Sequence, residues 1–156
     1  MNIQLQHRAL VLLLVLCAVV SVYSQPDDVK PRYVKFLTQH FKSDMQENKC
    51  TSVIKARDIH REEIGKKKCK DVNTFIYSTP KNTIKDVCGK AGTENAGPNG
   101  SRLFTSTKPF PVIKCTIKSG ERPPHCEYRG HKSTRKIRIA CDKGWPVHYD
   151  GDIVVP

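Results

Sequence analysis

Three positions in this sequence carry side chains suited to moving protons and holding negative charge: His40 in "FLTQHF", Lys70 in "CKDVNTF" and His148 in "PVHYD". Breaking a phosphodiester without a metal needs one group that takes a proton and another that gives one. It also needs a cation beside the phosphoryl oxygens. Two imidazoles with ordinary pKa values of about 6.5 can hold opposite protonation states at one pH. Lys70 follows Cys69 directly, so a disulfide at Cys69 would restrict the backbone that aims the ammonium group. RNA supplies its own nucleophile, the 2′-hydroxyl, and a backbone drawn to basic surfaces. Taken alone, each histidine is a weak signal. His40 lies on an apolar stripe, where an imidazole is more often packed than reactive. His148 stands between Val147 and Tyr149, and strand alternation would put Asp150 on its side, where a carboxylate could hold the ring's tautomer. His60, His125 and His131 sit in polar surroundings and are expected to face solvent.

The elements that must position these residues read as helices first and strands later. In "KPRYVKFLTQHFKS" the residues Tyr33, Phe36, Leu37, His40 and Phe41 follow i, i+3, i+4, i+7, i+8 spacing, one face of an amphipathic helix. Pro31 is tolerated in its first turn. A second helix is expected at "NKCTSVIKAR" with Asn48 as cap. A third is expected at "STPKNTIKDVC", capped by Ser78 or Thr79 with Pro80 in its first turn. "DIHREEIGKKK" reads as a surface loop, and so does the Gly-, Asn- and Pro-rich stretch 89–101. Period-two patterns follow. Ile113, Cys115 and Ile117 oppose Lys114, Thr116 and Lys118, and Ile137, Ile139 and Cys141 oppose Lys136, Arg138 and Ala140. "GWPVHYDGDIVVP" is a further strand. Helices segregated from antiparallel strands give an α+β domain.

Composition sets the compartment. The first 24 residues carry Arg8, an apolar run from Ala9 to Val20 and a small residue, Ser24, at the end. That run is shorter than the roughly 20 residues a bilayer span requires and has the layout of a cleaved secretory signal. Residues 25–156 then form one domain, a monomer with no transmembrane anchor. Of the seven cysteines, Cys17 leaves with the signal. The six that remain, Cys50, Cys69, Cys88, Cys115, Cys126 and Cys141, imply three disulfides in any of 15 pairings. No CxxC pair occurs, so a zinc site is disfavoured, and neither metal nor cofactor is expected. The formal charge of the 156-residue chain is +12, which directs a secreted protein to polyanions: nucleic acid, heparin-like glycans or anionic bacterial surfaces.

"FLTQHF", "CKDVNTF" and "PVHYD", in that order and framed by six cysteines, closely resemble the pancreatic ribonuclease superfamily. The likeness runs from about Arg32 to the C-terminus and is strongest to the angiogenin branch and to fish secreted ribonucleases. It implies a small disulfide-stapled fold, about three short helices on antiparallel sheet, bridged Cys50–Cys115, Cys69–Cys126 and Cys88–Cys141. It also implies an endoribonuclease that cuts single-stranded RNA on the 3′ side of pyrimidines. His40 would be the general base, His148 the general acid, and Lys70 the cation on the transition state. By the same resemblance Gln39 touches the phosphate, with backbone help from His148 or Tyr149, and Thr74 reads the pyrimidine. Asn73 supports the cleft, Asp150 orients His148, and Lys35 serves a neighbouring phosphate.

Three departures matter. "NGSRLFTSTKPF" lacks the extra disulfide loop of eight-cysteine members, which implies weaker preference for adenine downstream of the cut. Gly151 stands where mammalian angiogenins place a glutamine that obstructs the pyrimidine pocket, which implies an open pocket. The segment between Cys50 and Cys69 is long and holds Lys66, Lys67 and Lys68, near where angiogenins carry a basic cluster linked to nuclear import. A solvated face, attraction to RNA or heparin, and nuclear delivery after uptake are the readings of that run. "NGS" makes Asn99 a candidate glycosylation site. The alternative function is a cationic secreted effector, an angiogenic signal acting on a cell-surface receptor or a bactericidal protein, with ribonuclease activity weak or dispensable.

Overall fold

A computed structural model describes residues 2–156, and the side chains of all of these except 19–23. The leader forms helix α1 (Ile3–Tyr23), whose described side chains are all exposed, so they add nothing to either core. Among the described residues no helix is long and apolar enough to cross a membrane. Three helices follow: α2 (Lys30–His40), α3 (Cys50–Ala56) and α4 (Lys81–Lys85). Pro31 sits in the first turn of α2 as expected. The expected caps are not used. Asn48 lies inside a 3₁₀ turn, Glu47–Lys49, that runs straight into α3. Pro80, in extended conformation, is itself the N-cap residue of α4, while the Thr79 hydroxyl donates back to the Tyr77 carbonyl.

Two segments expected to be loops are paired. "REEIGKKK" is a hairpin of β1 (Arg61–Glu63) and β2 (Lys66–Lys68). Its two-residue turn has Ile64 at φ 50° and Gly65 at φ 66°. Both central residues of a type I′ turn need that left-handed backbone, which glycine adopts freely and isoleucine does not. Within 89–101, β4 (Gly92–Ala96) pairs with β5 (Arg102–Ser106). β1, β2 and β4 lack alternation because their side chains are almost all exposed, so the periodic signal was never written there.

The main sheet contains β3 (Val72–Ile76), β6 (Phe110–Ser119), β7 (Glu127–Asp142) and β8 (Trp145–Val154) together with β4 and β5, all pairs antiparallel. β7 is the spine: its first half pairs β6, its second half pairs β5 and β8. Strand alternation divides the apolar residues between two cores. Phe75, Ile113 and Cys115 join Cys50, Val53 and Ile54 of α3 on one face. Ile76, Val112, Ile137 and Ile139 join Phe36 of α2 and Ile84 of α4 on the other. The three disulfides are Cys50–Cys115, Cys69–Cys126 and Cys88–Cys141. They close loops of 65, 57 and 53 residues, each worth about 4 kcal/mol in a chain-entropy account.

Candidate active site

The C-terminal end of α2 enters the site because Phe36 and His40, one turn apart, share its buried face. His40 is 5% exposed. Its Nδ1–H donates to the Thr74 carbonyl at 2.9 Å, which fixes the tautomer and leaves Nε2 as the acceptor. The Tyr149 ring stacks on the imidazole, centroids 4.8 Å apart and 18° from parallel. Arg57, from the residue after α3, donates to the Thr38 and Phe41 carbonyls at 2.8 and 2.7 Å. Those carbonyls lie at the helix end, where intrahelical partners run out.

Lys70 is held from several sides. Cys69 is tied to Cys126, and its N–H donates to the Glu121 carbonyl. The Tyr128 hydroxyl donates to the Lys70 carbonyl at 2.8 Å. The ammonium group donates to Asn73 Oδ1 at 2.9 Å, and Asn73 Nδ2 in turn donates to the Gln39 carbonyl at 2.8 Å. Asn73, 1% exposed, therefore couples the lysine to the helix that carries His40.

His148 arrives on β8 between two register shifts against β7, which leave Val147 and Asp150 as the extra residues. Bulges of this kind re-aim side chains and recur beside active sites. They also break the alternation on which an Asp150–His148 bond was expected. Asp150 instead accepts from Arg138, Nε to Oδ2, at 2.5 Å. His148 is close enough to His40 to help depress its pKa.

These residues line one cleft of about 550 Å³: Gln39, His40, Lys70, Thr74, His148, Tyr149 and Asp150 all reach it. Asn73 lies behind it. Lys35 is not in the lining, yet it is near enough to Lys70 to lower that lysine's pKa, an effect second to burial. Burial first, then Lys70 and His148, push the His40 pKa down to about 3, against the opposing pull of the Thr74 carbonyl. Burial likewise raises the Tyr149 phenol. Gly151 stands in the lining, and so do Val72, Lys114 and Asp152, which sequence reading did not single out. Lys114 had a signal in the alternation that sets it opposite Ile113 and Cys115 on the basic face of its strand; Asp152 had none.

The remaining candidates lie outside the cleft lining. Asn99 is exposed in a 3₁₀ turn, Pro98–Gly100, and accessible to a glycosyl donor. Lys67 pairs with Asp58 at 2.5 Å and Lys68 with Glu63 at 2.6 Å, so two members of the lysine run are partly neutralised. His125 and His131 face solvent, whereas His60 is half-buried between the Asp58 carbonyl and the Glu62 carboxylate.

The pancreatic ribonuclease family description matches residues 31–150. The chain is 43% identical over 145 residues to Ribonuclease-like 3 of Danio rerio, covering 93% of this chain and 95% of that protein. It is 41% identical to Angiogenin-3 of Mus musculus, covering 80% and 81%. Among solved structures, zebrafish RNase5 superposes with a TM-score of 0.71 at 50% identity, covering 81% of this chain and 98% of that one. RNase ZF-1A gives 0.72 at 47%, covering 85% and 100%. A two-histidine cleft on a three-disulfide α+β fold, matched in sequence and in shape along nearly its whole length, makes this chain a member of the pancreatic ribonuclease family.

Proposed function

We propose that the protein is a secreted, metal-independent endoribonuclease that cleaves single-stranded RNA on the 3′ side of pyrimidines. The observation that carries this reading is the meeting of His40, Lys70 and His148 in one cleft, with His40 Nδ1–H bound to Thr74 so that Nε2 is the basic nitrogen. In the first step His40 Nε2 takes the 2′-hydroxyl proton and the 2′-oxygen attacks phosphorus. His148 gives its proton to the departing 5′-oxygen. The products are a 2′,3′-cyclic phosphate and a free 5′-hydroxyl. In the second step His148 takes a proton from water, the water oxygen attacks phosphorus, and His40 protonates the 2′-oxygen as its bond breaks. Lys70 faces the phosphoryl oxygens, where charge accumulates in both transition states. Gln39 adds a polar contact to the phosphate, Thr74 meets the base edge, and Lys35 extends the positive field to the adjoining phosphate. Residues 1–24 direct export and are removed, leaving 25–156.

The test is cleavage of uridylyl-adenosine and of transfer RNA by the disulfide-bonded protein beside His40→Ala and His148→Ala. Activity abolished in both variants is the expected result. Equal activity in either variant would remove that histidine from the mechanism. The net charge of +12 favours a second, compatible reading, attraction to heparin-like glycans or bacterial surfaces. An activity of that kind survives in His148→Ala. The ion pairs of Lys67 and Lys68 argue against the lysine run as a nuclear address.

A further inference from the structure

The β1–β2 hairpin forms a two-stranded sheet of its own and takes no part in the cleft. Its turn carries a strained residue at the tip: Ile64 sits at φ 50° and is 95% exposed. Asparagine, aspartate or glycine would hold that backbone at lower cost, so the turn itself does not call for isoleucine. Arg61, Glu62 and Glu63 of β1 are all exposed. Across the turn the Glu63 carbonyl accepts from the Lys66 N–H, and antiparallel pairs alternate between hydrogen-bonded and non-bonded. Glu62, one position along, therefore turns its N–H and carbonyl away from β2. Among the described residues no backbone bond outside the ladder reaches residues 61–68, so this edge stands open. The opposite edge is Lys66, Lys67 and Lys68, cations of the kind that guard an edge from pairing. β1 differs: laid antiparallel to itself about Glu62, it sets Arg61 against Glu63 at both ends.

We infer that β1 pairs antiparallel with β1 of a second copy of this chain, joining two hairpins into a four-stranded sheet about a two-fold axis at Glu62. In that register the two Glu62 residues exchange both backbone bonds. Arg61 and Glu63 become a non-bonded pair, the kind whose side chains approach most closely, with about 4.5 Å between Cα atoms. The two-fold axis makes that ion pair twice. Within one chain Arg61 lies 3.3 Å from Asp71 and 3.8 Å from Glu63, all with exposed side chains. Exposed pairs of that sort are worth little, so exchanging them costs little. The same register sets Ile64 opposite His60 of the second copy. Two residues before His60, Asp58 lines an apolar pocket of about 90 Å³ with Ile54, Ile59, Pro123 and Pro124. The isoleucine, which meets only water in the single chain, is thereby brought to an apolar surface. Pairing through β2 would set six lysines against one another, and like charges directly opposed repel. One feature opposes the β1 register: the two Glu62 carboxylates face each other. Each is held by His60 Nε2 at 2.9 Å and flanked across the ladder by Lys67.

An interface of this size belongs with transient contacts, so the test is sedimentation equilibrium of the disulfide-bonded protein from about 10 µM to about 1 mM. The average mass is expected to rise from one chain towards two. Arg61→Glu leaves β1 with carboxylates alone and should remain a single chain throughout. Adding Glu63→Arg restores the complementarity with the signs exchanged and should bring the second copy back. Ile64→Asn suits the turn better and should weaken association roughly tenfold, as loss of one buried aliphatic side chain allows. Glu62→Gln removes the one like-charge pair and should tighten association. Each altered side chain is exposed, and an amide NMR spectrum checks that the fold is kept. None lies in the cleft, so cleavage of uridylyl-adenosine should be unchanged, and loss of the dimer leaves the nuclease reading intact. A single chain at the highest concentration overturns the inference. So does association unmoved by both Arg61→Glu and Ile64→Asn, or no recovery in the double variant. Single chains that bind phosphatidylglycerol vesicles through Ile64 also overturn it, and give the hairpin tip to lipid.

Discussion

Burial and neighbouring positive charge act on His40 in the same direction, since both make the imidazolium costly. With its pKa pushed down to about 3, the ring stays neutral, and so basic, well into acid. We expect the acid limb of kcat/KM to fall well below pH 6.5, the value an ordinary histidine would give. The same depression links to folding. The unfolded chain binds the His40 proton at about 6.5 while the folded protein resists it down to about 3. This group's contribution to stability is complete above pH 6.5 and is lost as pH falls towards 3. Chemical denaturation from pH 7 to 4 should show a steeper loss in the unaltered protein than in His40→Ala; equal slopes would refute the coupling. For Lys70, removal of a cation placed at developing charge should lower kcat by about 10²–10³-fold in Lys70→Ala with a far smaller change in KM, read by steady-state kinetics. His40, Lys70 and His148 were legible only as a set, and their roles came with the resemblance. Asp152 stayed unread because its ion-pair partner, Arg135, reaches it only through the β7–β8 pairing.

At the scale of elements, the site depends on how α2 ends and how β8 bends. The two carbonyls at the end of α2 are satisfied by Arg57, so the helix terminus is fixed to α3 and not left to water. Arg57→Ala removes both bonds and should destabilise the fold by about 1–3 kcal/mol, measured by urea unfolding. It should also reduce kcat, because His40 rides on the released turn. Arg57→Lys, able to restore one bond, should recover part of each loss; full activity in Arg57→Ala would show that the helix is fixed by packing alone. The amphipathic stripe of α2 and the alternation of β6 were legible because one face of each is buried. Period three-and-a-half or two is the mark burial leaves on a sequence. The β1–β2 hairpin left no such mark, since its side chains, with Ile64 at 95% exposure on the tip, pack against no core. The bulges around His148 were equally silent: an inserted residue shows only against its partner strand.

Across the whole molecule, the fold brings residues 108 positions apart, His40 and His148, into one cleft, and three disulfides closing long loops secure that convergence. The number of disulfides was readable from the cysteine count, whereas their pairing followed only from resemblance, because six thiols do not choose among themselves. The charge of +12 was also readable, but not its layout. The register supplies that layout: Thr74 opposes Lys114, which opposes His131, and Val72 opposes Thr116, which opposes Arg129. Residues directly opposed across strands share a face, so Arg129 continues the positive face of Lys114 beyond the cleft lining. Among the described residues Arg129 is held by no carboxylate, which leaves it for phosphate. A dinucleotide in the cleft is too short to reach it; a long RNA is not. Arg129→Ala should therefore weaken kcat/KM on polyuridylate at low salt several-fold more than on uridylyl-adenosine. The salt dependence on the polymer should flatten by about 0.7 in log–log slope for each phosphate contact removed. If both substrates lose equally and the slope stays unchanged, the cation acts on the cleft chemistry itself and the extended track is absent.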